Sequence, residues 1–246
     1  MNDVFWNYNM SPDILSGKKL VIFDVDGVIF DIVEAIRDTV KEGIEKYHLK
    51  ANVEDAMEEV GHVLEFAQSM PIPELVLNSN ELFGKLSLFD GLTVLKRLRI
   101  AASFYGSFRQ KKEQCGLFDG IVDVIKGLSK KGLRLAILSN NKRSYVIEAL
   151  KKQNLEGYFG NILGFNEVSK TKPDPEGLFK ILEIEQMKPN EALFIGDMVS
   201  DVQCGKSANV NTIAVASGLA PKDKLVAEKP FQLVNNIREM QKLFGV

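Results

Sequence analysis

The sequence predicts an α/β protein, in which a doubly wound parallel sheet forms the core and an all-helical segment is inserted into it. Short apolar runs recur along the chain and alternate with amphipathic segments of helical period. Such alternation is typical of parallel strands joined by helices that cover both faces of the sheet. The alternation stops between residues 31 and 115, where no strand-like run occurs.

The predicted strands are continuous apolar runs, as expected of strands that are covered on both faces. They span residues 20–25, 134–140, 162–165, 192–197, 211–217 and 231–234. The predicted helices between them span residues 120–132, 143–155, 176–187 and 199–209. Ligands of such sheets bind at the carboxyl ends of the strands, so the polar residues there are the first candidates for a site.

The interrupted stretch predicts a separate helical domain. Its amphipathic segments span residues 31–49, 53–68 and 92–114, and Pro71 and Pro73 break the middle. We therefore divide the chain into an α/β core, residues 1–30 and 116–246, and an inserted helical domain, residues 31–115. Because the insertion follows the first strand directly, it is expected to hang over the carboxyl end of that strand.

Composition excludes some classes of partner and favours a location. The formal net charge is -2, from 31 basic and 33 acidic side chains, which gives no electrostatic reason to expect nucleic acid or an anionic membrane as partner. The two cysteines, Cys115 and Cys204, are too few for a disulfide framework. With no secretory signal and no apolar stretch of the ~20 residues that span a bilayer, we expect a cytoplasmic protein. The sequence leaves the oligomeric state open.

Two aspartates with one residue between them follow the first apolar run. Asp24 and Asp26 belong to the stretch VIFDVDGVIF, in which Gly27 allows a sharp turn. Two carboxylates this close raise each other's pKa unless a cation lies between them. Mg²⁺ suits the position, since it takes one or two carboxylates together with phosphate. A helix N-cap or an Asx-turn is the alternative interpretation.

Candidate phosphate contacts follow the second run and precede a predicted helix. Ser139 and Asn140 lie at the second strand's end, where a hydroxyl and backbone N–H groups can hold a phosphate oxygen. Lys172, in SKTKPDP, comes just before Pro173 and can place an ammonium group on a phosphate. Turn chemistry for Ser139 and a solvated loop position for Lys172 are the alternatives.

A second pair of aspartates follows the fourth run. In FIGDMVSD, Asp197 lies at the strand tip and Asp201 comes one helical turn later. Both carboxylates can face one site. Alternatively, Asp197 caps the following helix and Asp201 interacts favourably with its N-terminal dipole, and both interpretations can hold together.

These four pieces occur in a fixed order: D-x-D after a strand, S-N after a strand, K-P in a loop, and G-D-x-x-x-D after a strand. The set resembles the haloacid dehalogenase superfamily, in its phosphoglycolate phosphatase-like branch, over nearly the whole chain beyond the first ~18 residues. The stretch LFDGIVDVIKGLSKKGLRLAILSNN, residues 117–141, is similar to that branch as well. The resemblance implies a Rossmann-like core with an inserted helical cap domain.

The resemblance also implies roles for individual residues. Asp24 would be the nucleophile that forms an aspartyl-phosphate, and Asp26 would protonate the leaving oxygen and then take a proton from water. Ser139, Asn140 and Lys172 would hold the transferring phosphoryl group.

The implied metal is Mg²⁺. Asp24, Asp197 and Asp201 would form its site, and Asp26 would add its backbone carbonyl. Dehalogenating members lack an aspartate two positions after the nucleophile, so Asp26 favours phosphorus chemistry.

We therefore expect a Mg²⁺-dependent phosphatase that acts on a small phosphorylated metabolite such as phosphoglycolate. A phosphomutase of the β-phosphoglucomutase type is the alternative, and a non-catalytic regulatory module is a further one. Val28, where many phosphatases have Thr, and the pair Asp31-Ile32, where Asp-Ser is frequent, leave the substrate open. In the insertion, the candidates for an anionic substrate tail are Lys85, Arg97, Arg99 and Arg109, although an ordinary surface position is the favoured explanation for each of them.

Overall fold

A parallel sheet forms the centre of the described structure. The computed structural model describes residues 14–57, 59–60 and 86–246. In the described residues the sheet has six strands in the order β3-β2-β1-β4-β5-β6, and all neighbours are parallel. The strands are β1 (Leu20–Phe23), β2 (Arg134–Leu138), β3 (Asn161–Leu163), β4 (Ala192–Gly196), β5 (Asn211–Val215) and β6 (Gln232–Val234). The predicted doubly wound parallel sheet is confirmed.

Helices connect the strands and flank the sheet. The helices whose bounds the structure gives are α1 (Val33–Tyr47), α2 (Val94–Lys112), α3 (Ile121–Lys130), α4 (Arg143–Lys152), α5 (Glu176–Glu185), α6 (Val199–Ser207), α7 (Lys222–Ala227) and α8 (Ile237–Phe244). Within the described ranges, no helix has both the length and the apolar character required to cross a bilayer.

The two faces of the sheet bury separate apolar clusters, because successive strand residues point to opposite faces. On one face, Val21 and Phe23 of β1 join a cluster that includes residues of α3, α4 and α8. On the other face, Leu20 and Ile22 pack in a cluster with residues of α5 and α6. This two-sided burial explains why β1 is apolar at every position, and it fixes the strand whose tip carries the first aspartate.

The strand order places a crevice at the middle of the sheet. From β1 the chain builds outward through β2 and β3, and then crosses back to β4 on the other side of β1. Ligands of open α/β sheets bind at the carboxyl ends of the strands where the order reverses in this way. Asp24 and Asp197 directly follow the two strands, β1 and β4, that border this switch point.

In the described residues of the insertion, helices are the regular secondary structure and turns or loops join them. Helices α1 and α2 pack together so closely that a Cβ atom added at Gly43 would lie 1.8 Å from the Phe104 ring. Residues 53–57 and 59–60 are also helical. The rest of the predicted second helix, together with Pro71, Pro73 and Lys85, lies outside the described residues. The boundary between core and insertion at residues 30 and 116 stays a prediction.

Candidate active site

Three buried carboxylates meet at the carboxyl edge of the sheet. One oxygen from each of Asp24, Asp197 and Asp201 lies within 4.8 Å of the others. Asp24 directly follows β1, Asp197 directly follows β4, and Asp201 lies in the first turn of α6. Two adjacent strand ends and one helix start therefore bring together acids that are far apart in sequence. The sequence predicted this grouping, because each of the three residues follows or adjoins a predicted strand end.

A buried lysine lies against this cluster. Nζ of Lys172 is 2.8 Å from Oδ1 of Asp24 and 2.6 Å from Oδ1 of Asp201. Its side chain is almost fully enclosed, so the alternative of a solvated loop lysine does not hold. Burial acts to lower the pKa of Lys172, but the carboxylates of Asp201 and Asp24 outweigh it and raise the pKa overall. Lys172 therefore stays charged.

One lysine does not balance three carboxylates. If all three ionise, the cluster formed with Lys172 carries two net negative charges in a buried position. Burial raises the pKa of Asp24 to about 7, against the opposing effect of Lys172. Burial, followed by the charges of Asp24 and Asp201, raises the pKa of Asp197 well above its usual range. Without a further cation, the cluster therefore retains protons at pH values where ordinary aspartates have lost them.

The carboxylate of Asp197 is held tightly on one side. Its Oδ2 accepts a hydrogen bond of 2.7 Å from the backbone N–H of Leu219. A Cβ atom added at Gly27 or at Gly218 would lie 2.0 Å from the same oxygen. Gly27 also has φ +78°, a conformation that favours glycine. Asp197 Oδ1 is buried and has no hydrogen-bond partner among the described residues, so it is available to a ligand.

We expect Gly218→Ala to disturb Asp197 directly. The added methyl group overlaps Oδ2, so the carboxylate must rotate or the loop must shift, at a cost of about 1–3 kcal/mol. Thermal unfolding should show the loss, and a Mg²⁺ titration should show weaker binding. Gly157→Ala is the matched control, because no atom lies within 4 Å of a Cβ atom added there. Equal Mg²⁺ affinity for the two variants would contradict the close approach seen at Gly218.

Asp201 has two functions. Its Oδ1 faces Lys172, while its Oδ2 accepts a hydrogen bond of 3.0 Å from the backbone N–H of Met198 at the start of α6. Asp201 therefore contacts both the start of α6 and the site, although the sequence interpretation assigns the cap to Asp197. The side chain of Asp197 instead accepts a hydrogen bond from the backbone N–H of Leu219.

Asp26 lies in a second, neighbouring group. Strand β1 ends at Phe23, so Asp24 and Asp26 lie beyond it. The rule that residues two apart on a strand point their side chains to the same face therefore does not apply to them. Asp26 Oδ2 forms an ion pair with Lys112, the last residue of α2. The same oxygen accepts a hydrogen bond of 2.8 Å from Nδ2 of Asn141. Each of the two aspartates thus has its own lysine.

The loop after β2 connects the two groups. Ser139 Oγ accepts hydrogen bonds of 3.1 Å from both the backbone N–H and Nδ2 of Asn141. Asn140 lies between them in the chain, and its buried Nδ2 has no hydrogen-bond partner among the described residues. Asn140, Ser139 and Lys172 line one small recess. The predicted phosphate contacts are therefore neighbours in space.

Sequence reasoning missed Lys112 and Asn141. Asn141 stands next to the predicted Asn140 in a run of two asparagines, and the run itself does not indicate which side chain faces the site. Lys112 is one of two consecutive lysines at a helix end, a pattern that is common on exposed surfaces. Of the four candidates for a substrate tail, Arg99 and Arg109 are exposed on α2 and Arg97 is half-buried there.

The acidic cluster fits Mg²⁺. Its donors are hard carboxylate oxygens, which Mg²⁺ prefers to nitrogen or sulfur. One of these oxygens, Asp197 Oδ1, is buried without a hydrogen bond from any described residue. A divalent ion would also balance the two uncompensated charges of the cluster. Asp24, Asp197 and Asp201 are the residues that would hold it.

The doubly wound sheet and the charged cluster at its switch point define an α/β enzyme. The chain belongs to the haloacid dehalogenase-like hydrolase family, whose model matches residues 21–215. The resemblance inferred from the motifs is thus confirmed, and so is the assignment of the chain as a hydrolase of this family.

Comparisons with individual proteins are consistent with this family assignment. A phosphoglycolate phosphatase of Pseudomonas fluorescens is 27% identical over 223 residues, which cover 90% of this chain and 78% of that protein. A crystal structure of a predicted phosphoglycolate phosphatase from Haemophilus somnus superposes with a TM-score of 0.70 at 18% identity, covering 92% of this chain and 98% of the other. A candidate β-phosphoglucomutase of Thermotoga maritima gives a TM-score of 0.66 at 20% identity, covering 92% and 98%. The two structural matches show a shared fold.

Proposed function

We propose that the protein is a Mg²⁺-dependent phosphatase that hydrolyses a small phosphomonoester through an aspartyl-phosphate on Asp24. The observation that carries this proposal is the position of Asp24. It lies at the switch point of the sheet, its carboxylate contacts Lys172, and two further buried carboxylates lie beside it. The family and the relatives named phosphoglycolate phosphatase support phosphate ester hydrolysis.

In the first step, a carboxylate oxygen of Asp24 attacks the phosphorus atom of the substrate. The bond between phosphorus and the ester oxygen breaks, and its electron pair stays on the leaving oxygen. The carboxyl group of Asp26 gives its proton to that oxygen, so the product leaves as an alcohol. Asp24 now carries the phosphoryl group, and Asp26 is a carboxylate.

In the second step, a water molecule attacks the phosphorus of the aspartyl-phosphate. Asp26 takes one proton from this water and is restored to its acid form. The bond between Asp24 and phosphorus breaks, and inorganic phosphate and the free carboxylate of Asp24 result. Splitting one difficult displacement into two easier ones is what nucleophilic catalysis contributes.

Charge neutralisation dominates phosphoryl transfer, and the site is built for it. Lys172 places a fixed positive charge beside Asp24. Ser139 and Asn140 add polar groups at the neighbouring strand end. When bound, Mg²⁺ supplies positive charge that stabilises both the ionised carboxylates and the negative charge of the transferring group.

The insertion is proposed to act as a cap. Its last described helix, α2, ends at Lys112, which reaches Asp26 of the core, so this segment lies directly at the site. A segment placed there excludes water and contacts the substrate. Within this proposal the core is residues 1–30 and 116–246, the cap is residues 31–115, and the protein works in the cytoplasm without nucleic acid.

A substrate panel tests the proposal. Phosphoglycolate, other small phosphomonoesters and p-nitrophenyl phosphate are incubated with the protein in Mg²⁺ and in excess EDTA, and phosphate release is measured. We expect release that requires Mg²⁺ and that prefers at least one small metabolite. Absence of phosphate release from every ester in the presence of Mg²⁺ would contradict the proposal.

The same panel distinguishes the alternatives. Conversion of a sugar 1-phosphate to its isomer without phosphate release would indicate a phosphomutase. The aspartyl-phosphate of a phosphomutase must outlive the release of an intermediate. Absence of both isomer and phosphate would favour the regulatory module.

A further inference from the structure

Lys112 joins the insertion to the core at Asp26. It is the last residue of α2, and its side chain is only 12% exposed. Its Nζ forms an ion pair with Asp26 Oδ2 and donates a hydrogen bond of 3.0 Å to Oδ1 of Asn141. Asn141 in turn donates from Nδ2 to the same Oδ2 of Asp26, at 2.8 Å. The three side chains therefore form a closed triangle of polar contacts.

Aromatic rings hold the lysine in place. Its Nζ lies 5.2 Å from the ring centroid of Tyr145 on α4 and 5.8 Å from that of Phe108 on α2. Distances of this size allow cation–π attraction. A lysine fixed by two oxygen acceptors and two rings has little of the freedom of a surface lysine. Its neighbour Lys111 differs, since it pairs with Glu42 of α1 on the outside of the insertion.

The backbone around Lys112 is also fixed. The two connections between insertion and core run side by side, with an antiparallel bridge between Phe30 and Leu117. The backbone N–H of Asp31 donates to the carbonyl of Gly116 at 3.1 Å, and that of Phe118 donates to the carbonyl of Ile29 at 3.1 Å. The end of α2 thus enters the core beside the loop that carries Asp26.

We propose that Lys112, together with Asn141, is a positioning residue that fixes the orientation of the Asp26 carboxylate for proton transfer to the leaving oxygen. This inference rests on the proposed phosphatase function. Both N–H donors point at Oδ2, so the proton that Asp26 transfers is carried by its other oxygen. A carboxyl group with one oxygen anchored presents the other in a single direction, and proton transfer depends steeply on such geometry.

The inference predicts a dependence on the leaving group. An alkyl alcohol is a poor leaving group and needs the proton as its bond to phosphorus breaks, whereas p-nitrophenolate is a stable anion and leaves without it. Loss of the positioning contact therefore slows the first step for an alkyl ester much more than for the aryl ester. The ratio kcat/KM reports this first step, because it includes events only up to transfer of the phosphoryl group to Asp24.

The test compares Lys112→Met, Lys112→Arg and Lys111→Met with the wild type in Mg²⁺. Methionine has an unbranched apolar side chain of similar length and removes the charge. For Lys112→Met we expect kcat/KM for an alkyl phosphomonoester to fall by about 10–100-fold, and that for p-nitrophenyl phosphate to fall by no more than about threefold. Lys112→Arg keeps a cation and should recover part of the alkyl activity. Lys111→Met should match the wild type.

Other outcomes overturn the inference. An equal fall for both esters indicates a merely structural lysine, provided that thermal unfolding shows a folded variant. No change for either ester, or a loss that Lys111→Met reproduces, also overturns it. In these cases the wild type still releases phosphate, so the proposed function stands. If the wild type itself releases no phosphate, the proposed function fails, and the inference that rests on it fails with it.

Discussion

Replacing Asp24 with asparagine is expected to abolish phosphate release while leaving the metal-free protein at least as stable as the wild type. The proposed nucleophile is lost, because an amide oxygen cannot form the aspartyl-phosphate. We expect phosphate release to fall by at least about 10⁴-fold, as in enzymes that lose a nucleophile. Asparagine is nearly the same size as aspartate, so the packing at the tip of β1 is retained.

The stability effect depends on pH in a defined direction. Burial raises the pKa of Asp24 to about 7, above the usual 3.8. At pH values below its ordinary pKa, such a carboxyl group is protonated in both the folded and the unfolded state, so it does not destabilise the fold. As the pH rises towards 7, the unfolded state loses this proton while the folded state keeps it, so the free energy of unfolding falls. The asparagine side chain of the variant does not titrate. The variant should therefore gain stability over the metal-free wild type between about pH 4 and pH 7, by on the order of a few kcal/mol.

Chemical unfolding in EDTA at pH 4.5 and pH 8 measures this difference, and a phosphate assay in Mg²⁺ measures activity. Asp119→Asn is the control, because Asp119 is exposed on the surface, where it pairs with Arg238. Phosphate release by Asp24→Asn at the wild-type rate would contradict the proposed role of Asp24 as the nucleophile. A variant that is less stable than the wild type at pH 8 would contradict the charge imbalance of the cluster.

The fold was predictable because its signals are local. Each strand of a sheet covered on both faces must be apolar at successive positions, and β1 and β4 show this directly. Strand ends were less predictable, since the run 20–25 continues two residues beyond Phe23. Apolar Val25 belongs to the turn and is buried there, and hydrophobicity alone does not distinguish a buried turn from a strand.

The acidic cluster was predictable for a topological reason. Parallel strands end at one edge of the sheet, so polar residues that follow different strands meet without any further information. The Lys112–Asn141 pair follows no such rule. Lys112 is 86 positions from Asp26 in sequence, and its contact depends on how α2 enters the core. No periodicity or motif of the insertion encodes the direction in which α2 enters the core.

Replacing Lys172 with methionine is expected to destabilise the metal-free protein and to reduce activity strongly. Lys172 is the buried cation in contact with Asp24 and Asp201. Removing one partner of a buried ion pair typically costs about 3–5 kcal/mol, because the remaining charges are left uncompensated. Loss of the positive charge beside the transferring group should lower kcat by about 10²–10³-fold, as for other electrostatic donors.

The cost of Lys172→Met should grow with pH. Lys172 lowers the pKa of Asp24, so in the variant this carboxyl group keeps its proton to a higher pH than in the wild type. Near pH 5 Asp24 is protonated in both proteins. The variant then buries one fewer negative charge that has lost its cation. At pH 8 the variant must either hold a proton on Asp24 or bury an unpaired charge, so the two proteins differ most there.

Thermal unfolding of both proteins at pH 5 and pH 8, with EDTA or with Mg²⁺, measures the effect. At pH 8 in EDTA we expect a fall in Tm on the order of 10 °C, and Mg²⁺ should restore part of it by supplying positive charge to the same carboxylates. Lys170→Met is the matched control, because Lys170 lies in the same loop with its side chain 73% exposed and its Nζ 3.6 Å from Asp174. If the two variants lost equal stability, Lys172 would be an ordinary loop lysine, and the charge balance proposed for this site would not hold.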